Sequence, residues 1–490
     1  MRKSGIILPI FSLPSNYGIG TFGKEAYRFV DFLEKAQVNY WQILPVGPTS
    51  YGDSPYQSFS TFAGNPYFID LDMLVEDKLL KKEEINRYDF GNDENDIDYG
   101  TMYKNRYKVL KLAHERAKVD LKKELEDFNE INKGWIYDYA LFMAIKDYKN
   151  GAPWKEWDKD IRFRKPQAIV KYSSLLKDEI DFYMFLQYMF SSQWKELKKY
   201  ANDKGIKIIG DIPIYVAEDS ADIWSNPEIF MLDEELIPKE VSGCPPDAFS
   251  DTGQLWGNPI YNWKELKNQN YNWWVERIRS SLEIFDVIRI DHFRGFESYW
   301  SIPYEDETAI NGKWEKGPGK DLFDAIKNEL GDIDVIAEDL GYITPEVREL
   351  LDYCGYPGMK VLQFAFDPKG DSEYLPHNYE KNVVVYTGTH DNDTIKGWFN
   401  SLSKEEREFC KSYTGMKDEN DNWKFIKLAI SSVANIAILQ IQDLLNLGKE
   451  ARINIPSTLG TNWRWRMSKN DLTDELAEKL KELNKLYGRI

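Results

Sequence analysis

Short apolar runs bounded by turn residues recur along this chain, several of them separated by stretches of helical period. Eight runs can be read: Gly5 to Ile10, Tyr40 to Val46, Ile206 to Ile212, Val287 to Asp291, Val335 to Glu338, Lys360 to Phe366, Val383 to Thr389 and a weaker Ala451 to Ile455. A short run without polar alternation fits a strand covered on both faces, as strands are in a parallel sheet. Amphipathic helical text lies at Lys24 to Ala36, Trp273 to Ile284 and Thr344 to Tyr353. In the last of these, Thr344-Pro345 sets a capping hydroxyl ahead of a proline at the first helical position. Strand alternating with helix marks βαβ units, and eight such units close into an α/β fold, the (β/α)₈ TIM barrel.

Two gaps are too long for plain connections. About 160 residues separate the second and third runs, with strongly helical text at Tyr103 to Lys118 and Phe182 to Tyr200. A structureless loop of that length does not fit a compact domain, so residues 47–205 or so are expected to form an inserted, mostly helical subdomain. A second insertion, about 213–271, is rich in Pro, Gly, Asn and Trp and reads as an ordered loop region over one barrel face. Residues 1–490 are then one catalytic barrel carrying two large insertions, after strands 2 and 3, and Leu472 to Tyr487 reads as a last helix.

The formal charge of −18 argues against nucleic acid, whose binders gain affinity from clustered Lys and Arg. The cysteines, Cys244, Cys354 and Cys410, are odd in number and widely spaced, which points to a reducing, cytoplasmic setting. Pro9 and Pro14 break the apolar start too early for a signal peptide, and no apolar stretch approaches the ~20 residues of a membrane helix. Aromatic residues make up 14% of the chain, a surplus that suits the apolar C–H faces of sugars and equally suits a core.

Acidic residues stand at the C-terminal ends of four runs: Asp211, Asp291, Glu338 and Asp391. In a barrel those ends converge at the mouth where the chemistry of this fold takes place. Any one of them alone could be a turn or cap residue. Four together, with Arg289 and His292 around Asp291 and His390 beside Asp391, form a set that needs these cationic and donor partners if buried. Two uses remain open at this point: glycoside chemistry, in which one carboxylate attacks and another moves a proton, and a carboxylate-held Mg²⁺ or Mn²⁺. The aromatic, amide-rich loops favour the sugar.

Six strings then carry a family resemblance: Gly52-Asp-Ser-Pro-Tyr-Gln-Ser-Phe-Ser60, Gly210-Asp-Ile-Pro-Ile-Tyr-Val216, Pro245-Pro-Asp-Ala-Phe249 with Gly253-Gln-Leu-Trp-Gly-Asn-Pro259, Arg289-Ile-Asp-His-Phe-Arg-Gly295, Ala337-Glu-Asp-Leu-Gly341 and Gly388-Thr-His-Asp-Asn-Asp393. In this order, from about Gly5 to Arg466, they resemble the amylomaltases of glycoside hydrolase family 77, in the α-amylase superfamily. The resemblance implies a 4-α-glucanotransferase without a separate C-terminal β-domain, working on maltooligosaccharides and amylose with glucose as an acceptor and needing neither cofactor nor metal. Asp291 is implied as the nucleophile, Glu338 as general acid/base and Asp391 as the transition-state stabiliser gripping the sugar's 2- and 3-hydroxyls. Arg289 is implied to keep Asp291 ionised, Asp211 and His390 to bind the reacting glucose, and Tyr56 to stack on its face. The loop of Phe249, Gln254 and Trp256 resembles a mobile acceptor loop, and Tyr51 is a candidate for stacking on glucan outside the site. The only departures are small: Ser457 stands where the family often has glycine, and Ala248 where an aromatic can occur. Retention of configuration would place the carboxyls of Asp291 and Glu338 ~5–5.5 Å apart.

Overall fold

The structure is a computed structural model that describes residues 2–50, 52–246, 250–369, 372–458 and 460–490. Its strands, in chain order, are β1 (Lys3–Ile7), β2 (Tyr40–Gln42), β3 (Lys207–Ile212), β4 (Glu240–Cys244), β5 (Gln254–Pro259), β6 (Val287–Ile290), β7 (Ser298–Pro303), β8 (Lys313–Lys316), β9 (Val335–Ala337), β10 (Gly358–Val361), β11 (Val383–Tyr386) and β12 (Ile436–Gln440). Eight of them form one sheet in the order β10-β11-β12-β1-β2-β3-β6-β9, every pairing parallel. The edges meet where Ala337 N–H donates to Pro357 O at 3.0 Å, which brings β9 against the start of β10 and closes the barrel. The strands are short and almost wholly buried, so Val, Ile and Leu occupy both faces, as the runs without polar alternation required.

The last strand is a correction. Ala451 to Ile455 is not a strand; Ala451 ends a turn of 3₁₀ helix, and the eighth barrel strand is β12, paired with β11 and β1. Ile436 to Leu439 follows the helix Asn422–Ser431 after only four residues, with no Gly or Pro between them to mark the change from helical to extended chain. Thr344 does stand at the cap of helix Pro345–Cys354 with extended backbone, but its hydroxyl accepts no helix N–H. Helix Asp474–Leu486 follows the barrel, and among the described residues no strand comes after β12. Among those residues, too, no helix is long and apolar enough to cross a membrane.

Between β2 and β3 the chain forms mostly helices, the longest Tyr99–Asp120 and Lys177–Asp203. The second of these anchors the segment that leaves β2. Gln187 accepts from Gly64 N–H at 2.7 Å and donates to Gly64 O at 3.0 Å, and Gln193 does the same for Asp70 at 2.6 and 3.1 Å. Each amide thus satisfies a buried peptide that has no strand partner. Position 64 must be glycine for this approach, because a Cβ would fall 2.3 Å from the Phe190 ring.

The region 213–271 holds more regular structure than a loop. β4 and β5 form a hairpin that joins β7 and β8, from beyond β6, in an antiparallel sheet of order β5-β4-β7-β8. Ser242, Ser301 and Tyr299 on one face are buried, Tyr299 within the main core, while Val241, Ile302 and Ala309 make a small separate core.

Candidate active site

The barrel register brings the expected carboxylates together. On β3 and β6, Asp211 stands beside Arg289. One step further, Asp291 N–H donates to Ile212 O and Glu338 N–H to Ile290 O, both at 3.0 Å, so the two ladders continue beyond the strands and set Asp291 and Glu338 on neighbouring chains. Adjacent strands lie ~4.8 Å apart, which puts both carboxyl groups at one place on the mouth.

Arg289 sits at the centre of this arrangement. It is buried, and its Nη1 donates to Asp211 at 2.7 and 2.6 Å and to Asp291 Oδ1 at 3.0 Å. Burial opposes its charge, but the two aspartates outweigh that and raise its pKa well above the usual value. A metal bridging the same carboxylates would have to take the space that this guanidinium fills. The Asp211 carboxylate is fully enclosed and also accepts from Tyr56 Oη at 2.8 Å, so its oxygens serve Arg289 and Tyr56. The Asp291 side chain keeps 30% exposure and Asp391 44%, so these two, unlike Asp211, are accessible from the mouth.

Glu338 has no cation in contact. Its oxygens accept the N–H groups of His292 at 2.7 Å and Leu340 at 2.8 Å. Burial, followed by the charge of Asp291, pushes it up to about 7 against the pull of Arg289 and those two N–H donors. Burial also raises Asp291, to about 6, with Arg289 opposing. When the pair holds one proton, that proton belongs on Glu338, because only Asp291 touches the guanidinium.

Asp391 has the opposite character. Burial would raise it, yet His390 at 3.3 Å and Asn454, donating to Oδ1 at 2.6 Å, bring it down to about 2. Burial disfavours a charged His390, and Asp391 reverses that so its pKa rises. The His390 ring stacks on Tyr56, with centroids 5.1 Å apart and planes at 20°. Trp256 Nε1 donates to Gln254 Oε1 at 3.1 Å, and its ring meets His292 at 4.8 Å and 89°. Of the acceptor-loop candidates, Trp256 therefore adjoins the residue whose N–H holds Glu338, and Gln254 is bonded to Trp256. Phe249 and Tyr51 lie outside the described residues.

A profile of the family described as 4-alpha-glucanotransferase matches residues 8–473. The chain belongs to that family. A 4-alpha-glucanotransferase of Clostridium butyricum is 56% identical over 483 residues, 98% of this chain and 99% of that one. One from Streptococcus pneumoniae is 50% identical over 493 residues, 100% and 98%. Among solved structures, amylomaltase from Streptococcus agalactiae in complex with acarbose superposes with a TM-score of 0.98 at 44% identity, covering all of both chains. Amylomaltase from Corynebacterium glutamicum, at 19% identity and a TM-score of 0.78, shares the fold over all of this chain and 74% of its own.

In this 4-alpha-glucanotransferase the structure adds residues that sequence reasoning missed. Asn454 holds the Asp391 carboxylate, Arg452 Nη2 donates to Asp391 O at 2.6 Å, and the Trp463 ring lies 5.8 Å from Tyr56 and 6.0 Å from His390. Asn454 opens the string Asn454-Ile-Pro-Ser-Thr458, and its placement in an expected strand hid its polar side chain. Nothing in the periodicity of the chain marks Trp463.

Proposed function

We propose that the chain moves a segment of a 1,4-α-D-glucan to the 4-hydroxyl of a glucose or glucan acceptor by a retaining double displacement. The observation that carries this is the unequal pair on neighbouring strands: Asp291 in contact with Arg289, and Glu338, half-buried beside it, with no cation. Asp291 attacks the anomeric carbon while Glu338 gives its proton to the leaving oxygen. Glu338 then takes the proton of the incoming hydroxyl as that oxygen displaces Asp291. Asp391, held ionised, suits the 2- and 3-hydroxyls and the positive character of the transition state. The Streptococcus agalactiae amylomaltase, solved in complex with acarbose, supports oligosaccharide binding by this chain.

The same reading takes 47–205 and 213–271 as insertions into one catalytic barrel, so that Tyr56 and Trp256 come from additions that shape its mouth. It places the enzyme in the cytoplasm, where a chain with three scattered cysteines needs no disulfide framework.

Transfer requires a bound hydroxyl to outcompete water, which positioning supplies through a high effective concentration. Pure protein given maltotriose is expected to yield glucose and a ladder of longer maltooligosaccharides, read by mass spectrometry. Glucose and maltose without a ladder would mean a hydrolase.

The two carboxyl groups also set the pH dependence. Activity needs Asp291 ionised and falls as pH drops below about 6. It needs Glu338 protonated and falls as pH rises above about 7. A narrow bell in kcat/KM is the expected profile, with both limbs belonging to the pair. A flat profile across this range would remove the assignment.

A further inference from the structure

Across the small antiparallel sheet, Leu255, Gly243, Trp300 and Trp314 stand directly opposite one another, so their side chains share a face. One end of this row is Leu255 on β5, whose neighbours Gln254 and Trp256 project from the opposite face. At the other end Trp314 is 39% exposed.

The Trp314 indole is held in place. It meets Trp300 edge-on, with centroids 5.2 Å apart and planes at 67°, and the Arg294 guanidinium carbon lies 3.9 Å from its ring centre. The same carbon is 5.9 Å from the ring centre of Tyr342, which is 75% exposed. Arg294 Nη1 donates to the Tyr342 carbonyl, and Nη2 to Ser298 Oγ at 3.1 Å. Arg294 follows Asp291 by three residues and Tyr342 follows Glu338 by four. The two loops that bear the reacting carboxylates are therefore tied together beneath two open aromatic rings.

This is a costly way to build a surface. Arg294 is 5% exposed, and its Nε has no hydrogen-bond partner. Burying an incompletely paired cation is unfavourable, and leaving an indole and a phenol in water gives up the gain of burying them. The return is an indole fixed before any ligand arrives, beside a phenol whose backbone is anchored, which lowers the entropy lost on binding. The strand around Trp314 is charged, with Lys313, Glu315 and Lys316, so the open apolar area is confined to ring faces. A protein partner would look for a broader apolar patch. A sugar, with apolar C–H faces and a hydroxylated rim, matches a ring edged by charges.

We propose that Trp314 and Tyr342 form an outlying subsite for a long α-1,4-glucan, at the far edge of the sheet whose other edge carries the acceptor loop. The inference rests on the transferase reading and adds to it a residue pair that sets chain-length preference. The rings stack on glucose units of the acceptor chain beyond those at the mouth, and short oligosaccharides do not reach them.

The test uses Asp291→Asn protein, which binds without turnover, titrated calorimetrically with short-chain amylose and with maltotriose. Adding Trp314→Ala should raise the Kd for amylose about tenfold while that for maltotriose moves less than about twofold. Trp314→Phe should recover most of the loss. Tyr342→Ala, at a site too exposed to disturb folding, should weaken amylose binding selectively as well and carries the test if Trp314→Ala does not fold. Equal changes for both sugars, or none for either, would overturn the subsite. The transferase reading fails separately, if the unaltered protein forms no ladder from maltotriose.

Discussion

Asp291→Asn is expected to lower turnover of maltotriose by on the order of 10⁴-fold or more, because the covalent step loses its attacking group. The fold should survive. Arg289 would keep its two contacts with Asp211, and Asn is close to Asp in volume, so no cavity opens. Initial rates of glucose release, with thermal unfolding as a control, check this. A variant retaining a tenth of the activity would show that another group attacks, since no effect of charge alone on a partly exposed neighbour would leave that much of a covalent mechanism intact.

Glu338→Gln is expected to cost ~10²–10⁴-fold in kcat/KM on maltotriose, the range that a positioned proton donor contributes. Each carboxylate oxygen takes one N–H, from His292 and from Leu340, so the amide oxygen can keep one of these bonds while its NH2 meets the other donor. Two further readouts separate this from a structural defect. The alkaline limb of the pH profile should vanish from the residual activity, and a donor with a good leaving group, such as an aryl maltoside, should suffer a smaller loss because its departure needs little protonation. An unchanged alkaline limb would assign that limb to another group.

The barrel was legible because its strands are buried on both faces and so lack polar interruption. Val383–Tyr386 and Val335–Ala337 are visible as bare apolar runs, and the carboxylates just past strand ends could be gathered on the assumption of closure. β12 was not, since its apolar text runs on from a helix without a breaking residue. The small sheet was equally hidden. A strand reading Lys-Trp-Glu-Lys has no apolar run and too few residues to show alternation.

Within the site, Asp211, Arg289, Asp291, Glu338, His390 and Asp391 come together as their places at strand ends required, with Tyr56 brought in by the segment that the Gln187 and Gln193 amides anchor. What the sequence did not disclose was the division of labour around Asp211. Strand position shows that a carboxylate reaches the mouth, but only contacts show that its oxygens are already taken. Asn454 and Trp463 lie on irregular chain, where neither period assigns a direction to a side chain.

The pairing of β1 with β12 has a kinetic meaning. Lys3 is in register with Ile436, so the seam between these strands joins segments more than 430 residues apart. During synthesis the opening strand must wait, one edge unpaired, until nearly all the rest has emerged, and an uncovered apolar strand invites wrong partners. Contacts this remote also slow the search for the native arrangement. Refolding from denaturant should accordingly show the helical region between β2 and β3 regaining its structure before the ring shuts, with the mouth and its carboxylates assembled last.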